Sequence, residues 1–211
     1  MENMTGTKKR IFEVAADMFA KDSYHAVSMR QIANAVNIKA SSIYNHFESK
    51  EALLLTIYEY FDSHMRMLKP DLSKLMEMVE THHPHDVLRA TNIIYPGEIV
   101  QTMSRAMLIT ASQASSDPRA EAIIYRNMIE MPGTYDVPIL NKMMALDKIE
   151  PLDPHDFSLI HSGYCYSAAV RFYSNRSIDN PRYLAGLDMI FTIVRVKEGG
   201  ARRCEKVAKN T

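Results

Sequence analysis

The sequence has no tryptophan, only seven glycines, and two cysteines, Cys165 and Cys204, at no C-x-x-C spacing. That cysteine usage excludes a disulfide-stapled secreted module and leaves a reduced compartment as the setting. Nowhere do about eighteen apolar residues run together, so no membrane-spanning helix is expected. The opening residues MENMTGTKKR also lack the apolar run of a signal peptide. The expectation is a soluble, cytoplasmic chain with no membrane partner. Neither sign of charge predominates, with 25 Lys+Arg against 25 Asp+Glu. Global charge is therefore silent about nucleic acid, for which a local basic face suffices, since about half or more of such contacts go to phosphate. Sparse glycine and few β-branched runs lean toward an all-α fold. Fifteen methionines are many; they read either as thioethers filling gaps between helices or as an adaptable ligand pocket. The 211 residues suffice for one domain or for a small one plus a larger one.

What is present is concentrated in Ser28 to Phe47, SMRQIANAVNIKASSIYNHF. Met29, Ile32, Ala33 and Val36 fall at i, i+3, i+4, i+7, one apolar helical stripe. Ser28 followed by Gln31 forms a capping box that starts this helix. Asn37 then supplies a residue that tolerates positive φ, so the chain turns and Ile38 drops back toward the core. A second short helix carries Ala40, Ser41, Ser42, Tyr44, Asn45 and His46 outward while Ile43 and Phe47 point in. Two short helices across a tight turn, the second with a small, polar outer face, are how a helix-turn-helix meets a DNA major groove.

Around this stretch, a helix from Thr7 shows Ile11, Ala15, Met18 and Phe19 on one face. Lys8, Lys9 and Arg10 stand in its first turn, where cations oppose the helix dipole; a nearby anion or a solvated helix end would account for them. After Phe47, Ser49 is placed to cap a long helix with Leu54, Ile57, Tyr58, Phe61, Met65 and Leu68 in period, stopped by Pro70.

The amphipathic first helix ending in MFAKDSY, then S-MRQIANAVNI, then SSIYNHFESKEALL, together resemble the DNA-binding domain of the tetracycline-repressor (TetR) family of bacterial regulators. The resemblance covers about a quarter of the chain. It departs from the family pattern at Asn37, where Gly is common, at Ala40, where Lys is common, and at Ser41, where Gly or Ala is common. Carried over residue by residue, it implies that Tyr44 and His46 meet phosphate and that Lys50 meets another at the start of the long helix. Ser28 would cap its helix and present backbone N–H groups to phosphate. Lys39, Ser41, Ser42 and Asn45 would face base edges, and Ala40 a thymine methyl. The plain alternative for Tyr44 is a half-buried core tyrosine.

This reading divides the chain into a helix-turn-helix domain over 1–50, a linking helix over 50–68, a helical effector-binding and dimerisation domain over 69–198, and a tail over 199–211. Helices are expected at 71–81, 86–94, 98–115 (with Val100, Met103, Met107, Ala111 and Ala114 inward), 116–131, 139–146, 154–175, and after the stop Asp179-Asn180-Pro181. Tyr95-Pro96-Gly97 reads as a turn, and 133–153 as a less regular piece able to lie over a pocket mouth. His82, His83 and His85 invite a metal, but Pro84 breaks ligand spacing, and a solvated loop is the expectation. No metal and no cofactor is expected.

The resemblance further implies that the last two helices pair with a second copy of the chain. Phe157, Ile160, Tyr164, Ala168, Phe172, Leu187 and Phe191 are the candidates for that homodimer interface. Met103, Met107, Tyr125, Met128 and Tyr164 are candidates for an effector pocket, and equally for ordinary core. The expected function is a dimeric DNA-binding transcriptional regulator, a repressor released from its double-stranded operator by a small-molecule effector of unknown identity. The alternative is an effector-independent architectural or cell-division factor. An enzyme is not expected: His161 and Cys165 stand one helical turn apart, but no glycine-rich loop, oxyanion donor or orienting carboxylate accompanies them.

Overall fold

Helical periodicity runs through nearly the whole chain, and the computed structural model, which describes residues 4–92, 97–173 and 180–198, is all-α. The helices are α1 (Gly6–Asp22), α2 (Met29–Ala35), α3 (Lys50–Met67), α4 (Leu72–Thr81), α5 (Pro84–Ala90), α6 (Gly97–Gln113), α7 (Pro118–Ile124), α8 (Met131–Ala145), α9 (Pro154–Tyr173) and α10 (Asn180–Phe191). A 3-10 turn covers Ser42–Asn45 and a π-helical turn Tyr125–Glu130. Among the described residues no helix is long and apolar enough to cross a membrane.

The chain separates into two compact units. One takes Met1–Met67 and Tyr95–Tyr125, the other Leu68–Ile94 and Arg126–Thr211. α6 and α7 thus fall in the same unit as α1, α2 and α3.

In the first unit, Ile11, Phe12, Ala15, Ala16 and Phe19 of α1 share a core with Leu53, Ile57, Tyr58 and Phe61 of α3. α6 packs on both, contributing Met103, Ala106, Met107 and Ile109. Asp117 caps α7 by accepting from the Arg119 backbone N–H at 3.0 Å. The Arg119 guanidinium then grips Asp117 and reaches Glu51 in the first turn of α3 at 3.0 Å.

In the second unit, Leu75 and Val79 of α4, Val87 and Leu88 of α5, Ile139, Leu140 and Met143 of α8, Phe157 of α9, and Leu187 and Phe191 of α10 form one buried cluster. An antiparallel bridge, Ile149 to Val196, closes it, with Glu150 N–H donating to the Arg195 carbonyl at 2.8 Å and Lys197 N–H to Lys148 at 3.0 Å.

Several expectations are corrected here. The irregular piece over 133–153 is mostly α8. Pro132 falls in its first turn, where a missing N–H removes no helical bond, and Pro138 is carried inside the helix. Asp136, Ile139, Leu140 and Met143 lie at i, i+3, i+4, i+7 and are all buried, so packing outweighs the proline. The helix expected to run to Met131 ends at Ile124 and passes through the π turn. The expected 86–94 helix starts earlier, at Pro84, because His83 caps it through Nδ1.

His82 is exposed between α4 and α5, whereas His83 and His85 do not lie in a solvated loop. His83 and His85 are half-buried, and His85 Nε2 lies 2.9 Å from the Val194 carbonyl. No metal-binding group of three or more such side chains occurs among the described residues. Tyr95, Pro96, Asn175, Asp179 and the tail 199–211 lie outside the described residues, as do the side chains of Val100 and Phe172; Gly97 opens α6.

Candidate nucleic-acid interface

The helix-turn-helix is assembled almost entirely by short-range bonds. Ser28 Oγ accepts from the Gln31 backbone N–H at 3.3 Å, and Gln31 Oε1 accepts from the Ser28 N–H at 2.8 Å, the full capping box. At the other end of α2, Asn37 has φ 59°. Its N–H donates to the Asn34 carbonyl at 3.0 Å, and the Ile38 N–H to Ala33 at 3.0 Å. These two bonds make a Schellman motif with asparagine in the left-handed position that glycine usually takes. Arg10 Nη2 donates to the Val36 carbonyl at 3.1 Å and so ties α1 to the same turn.

The element that follows is shorter than expected. It is a single 3-10 turn, Ser42–Asn45, with no side-chain cap on Ser41. It is held from beneath: Ile43 is 0% and Phe47 4% exposed, so the turn cannot rotate without exposing both. The outer surface is polar and open. Tyr44 is 53% exposed and is not among the buried core residues. Lys39, Ala40, Ser41 and Asn45 are exposed, and Ser42 and His46 half-buried. Eight of the nine nominated residues, Ser28 through His46, thus lie on the capping box, the turn or the 3-10 element.

Lys50 is placed differently. Its ammonium donates to the Val27 carbonyl at 2.7 Å and sits 4.3 Å from the Tyr24 ring centroid. Burial lowers its pKa from the ordinary lysine value. Lys50 therefore braces the segment before α2, an internal role that competes with phosphate for the same group. The basic start of α1 likewise has protein partners: Lys8 lies 5.3 Å from the Phe47 ring and Lys9 pairs with Glu13 at 3.8 Å. An anion is not needed to account for them.

Sequence reasoning missed the braces Arg10, Tyr24 and Arg119. The Arg10–Val36 and Arg119–Glu51 pairs are separated by 26 and 68 residues, beyond any local signal.

The remaining nominated residues scatter. Met103 and Met107 are core of the first unit, and Tyr125 is 55% exposed. Met128 and Tyr164 are half-buried in the second unit. Neither unit holds all five. Among the dimer candidates, Phe157, Ala168, Leu187 and Phe191 are 1% exposed or less, already covered inside their own chain. Tyr164 stacks on Tyr183 with ring centroids 5.7 Å apart, and Ile160 is 48% exposed. The apolar surface left open on α9 and α10 is instead Leu159, Ile160, Tyr166, Leu184 and Met189, with Ile193 just beyond.

Residues 11–57 match the family model described as bacterial regulatory proteins, tetR family. The chain is 33% identical over 86 residues to the uncharacterized HTH-type transcriptional regulator YerO of Bacillus subtilis, covering 41% of this chain and 29% of that one. It is 35% identical over 57 residues to the HTH-type transcriptional repressor KstR2 of Rhodococcus jostii, covering 27% and 28%. The aligned stretch thus spans under a third of either relative. Over nearly the whole chain, the fold is like that of the ketosteroid transcriptional regulator KstR2 of Mycobacterium tuberculosis, with TM-score 0.69 at 20% identity over 92% of this chain and 98% of that one. A bacterial regulatory protein of the tetR family from Rhodococcus RHA1 gives TM-score 0.64 at 18% identity over 92% and 100%.

Proposed function

This chain belongs, by its residues 11–57, to the tetR family of bacterial regulatory proteins, and from that premise we propose that it is a homodimeric transcriptional repressor that leaves its DNA operator when a small molecule binds the second unit. The observation carrying the reading is the exposed Tyr44–Asn45 surface set on buried Ile43 and Phe47, directly after a capped helix and a Schellman turn. Tyr44 and His46 contact phosphate and fix the register, beside the helix that Ser28 caps. Ser42, Asn45, Ser41 and Lys39 face base edges, and Ala40 a thymine methyl.

Dimerisation is supported by the open apolar residues of α9 and α10. Met189 is 74%, Leu159 68%, Ile160 48% and Leu184 39% exposed, apolar side chains on the two helices expected to pair that a partner copy would cover. Two copies joined there read two half-sites about 34–36 Å apart or a multiple. An effector that binds better to a different spacing of the two DNA-binding domains releases the operator by that difference in affinity alone.

The test is to sequence genomic DNA fragments retained by the purified protein and to measure its mass by sedimentation. A palindromic site with half-sites near one helical turn apart, bound by a dimer, is the expected result. Retention of DNA with no shared sequence would remove the operator reading.

A further inference from the structure

Inside the second unit three polar side chains from distant stretches meet. Asp136 of α8 is 1% exposed and His161 of α9 5% exposed. Asp136 Oδ2 lies 2.9 Å from His161 Nδ1, and Asn92 Oδ1 lies 3.0 Å from His161 Nε2. The Asn92 amide cannot be turned around without loss, because its nitrogen donates to the Leu88 carbonyl at 3.0 Å. Both ring nitrogens therefore face acceptors, and only an imidazolium donates from both. Burial opposes the charge, but the Asp136 bond, with a smaller contribution from Cys165, outweighs it and pushes the His161 pKa up to about 10. The buried pair is a carboxylate and an imidazolium, neutral in sum.

One acceptor is left over. Asp136 Oδ1 is buried and takes no hydrogen bond from any described residue. A buried carboxylate oxygen without a donor is unfavourable, so a fold that retains one is fitted to a donor from elsewhere. The surroundings of its partner His161 are aromatic. The Phe157 and Phe191 rings lie 5.8 and 5.7 Å from the His161 ring. The Tyr183 hydroxyl lies 3.5 Å from Cys165 Sγ. Asn92, Tyr164, Cys165 and Tyr183 are half-buried, so the cluster continues from the buried pair to side chains that solvent reaches.

We propose that Asp136 is the recognition group of a small-molecule site in the second unit, its unpartnered oxygen accepting a hydrogen bond from the hydroxyl of a neutral, largely aromatic ligand. This rests on the reading of the chain as an effector-controlled regulator. Charge balance selects the class. The Asp136–His161 pair is already neutral, so a cationic amine would add an uncompensated buried charge, and an anion would meet the free carboxylate oxygen. A neutral hydroxyl supplies the donor and adds no charge, and the Phe157 and Phe191 rings beside His161 are the apolar groups that its aromatic body would meet.

Phenol is the probe, with toluene as the match of similar shape that lacks a donor. The full chain, carbon-13 labelled at aspartate carboxyl groups, is titrated with each while the Asp136 carboxyl signal is followed. Operator occupancy is measured in parallel by fluorescence anisotropy. Phenol is expected to move the Asp136 signal saturably and toluene to leave it in place; Asp136→Asn should weaken phenol binding tenfold or more. An Asp136 signal unmoved by phenol, or moved equally by both compounds, overturns the proposal. That signal is read on the unaltered chain, so the outcome does not depend on the variant folding. Phenol moving Asp136 with operator occupancy unchanged at saturation would keep the site and remove the effector reading. Operator release without an Asp136 response would do the reverse.

Discussion

Lys148 places its ammonium 2.5 Å from the carbonyl oxygen of Val79, with the Glu80 carbonyl at 2.8 Å, although the residue is only 3% exposed. These are carbonyls of the last turn of α4, which no intrahelical N–H reaches, and a buried cation answers them together with the negative end of the helix dipole. Lys148 gets there because Asp147, at φ 56°, ends α8 in a Schellman turn. Lys148→Met keeps the stem's bulk and removes the donor. The expected cost is about 1–3 kcal/mol, the usual penalty for a buried acceptor left without its partner, read as a lower urea midpoint at unchanged slope. No change in midpoint would mean that water replaces the ammonium freely.

The Asp136–His161 pair makes a pH prediction with a definite sign. The folded-state pKa of His161 is raised to about 10, above an ordinary imidazole near 6.5. Its stabilisation is therefore fully present below about pH 6.5 and is lost as pH rises through about 10. Urea unfolding at steps across that interval should show declining stability, and His161→Gln should flatten the decline. A wild-type profile that rises over the same interval would contradict the charged ring.

At the proposed DNA surface, Tyr44→Phe removes a hydroxyl that would meet phosphate. Affinity should drop about tenfold, in line with roughly 1.5 kcal/mol for a hydrogen bond to a charged group, and by a similar factor on every operator sequence. Asn45→Ala should instead change which bases are preferred, by about 1–3 kcal/mol at the position it reads. Binding to a library of operator variants separates the two; a sequence-dependent loss for Tyr44→Phe would assign it a base rather than a phosphate.

Met189 stands 74% exposed on the open face of α10. Met189→Lys should shift the protein from dimer to monomer in sedimentation while leaving the melting temperature of the isolated chain nearly unchanged, since the side chain is not part of the core. A dimer that survives both this change and Leu159→Lys would place the interface elsewhere.

Gly186 on α10 faces the Tyr164 ring so closely that an added Cβ would overlap the phenol. Tyr164 is held there by donating to the Tyr183 carbonyl at 3.0 Å. Gly186→Ala gains helix propensity but forces Tyr164 aside, and a net loss of about 1–3 kcal/mol is expected from overpacking. Pairing it with Tyr164→Ala should recover part of that loss, and an equally unstable double variant would argue against the clash.

The helix-turn-helix of this protein was legible in the primary structure because its determinants are local. The capping box spans Ser28 to Gln31, the turn needs only Asn37 with its two bonds to Ala33 and Asn34, and the stripe of Ile32, Ala33 and Val36 repeats at helical spacing. Tertiary structure decided the rest. Both faces of α9 and α10 are apolar, so periodicity could not say that Phe157, Leu187 and Phe191 turn inward while Leu159, Leu184 and Met189 stay open. α8 continues through Pro138 because its buried face packs against α4 and α9. The pairing of His161 with Asp136 and Asn92 joins residues 25 and 69 positions apart; such contacts leave no mark on neighbouring sequence, because what selects them is the exclusion of water by the folded core.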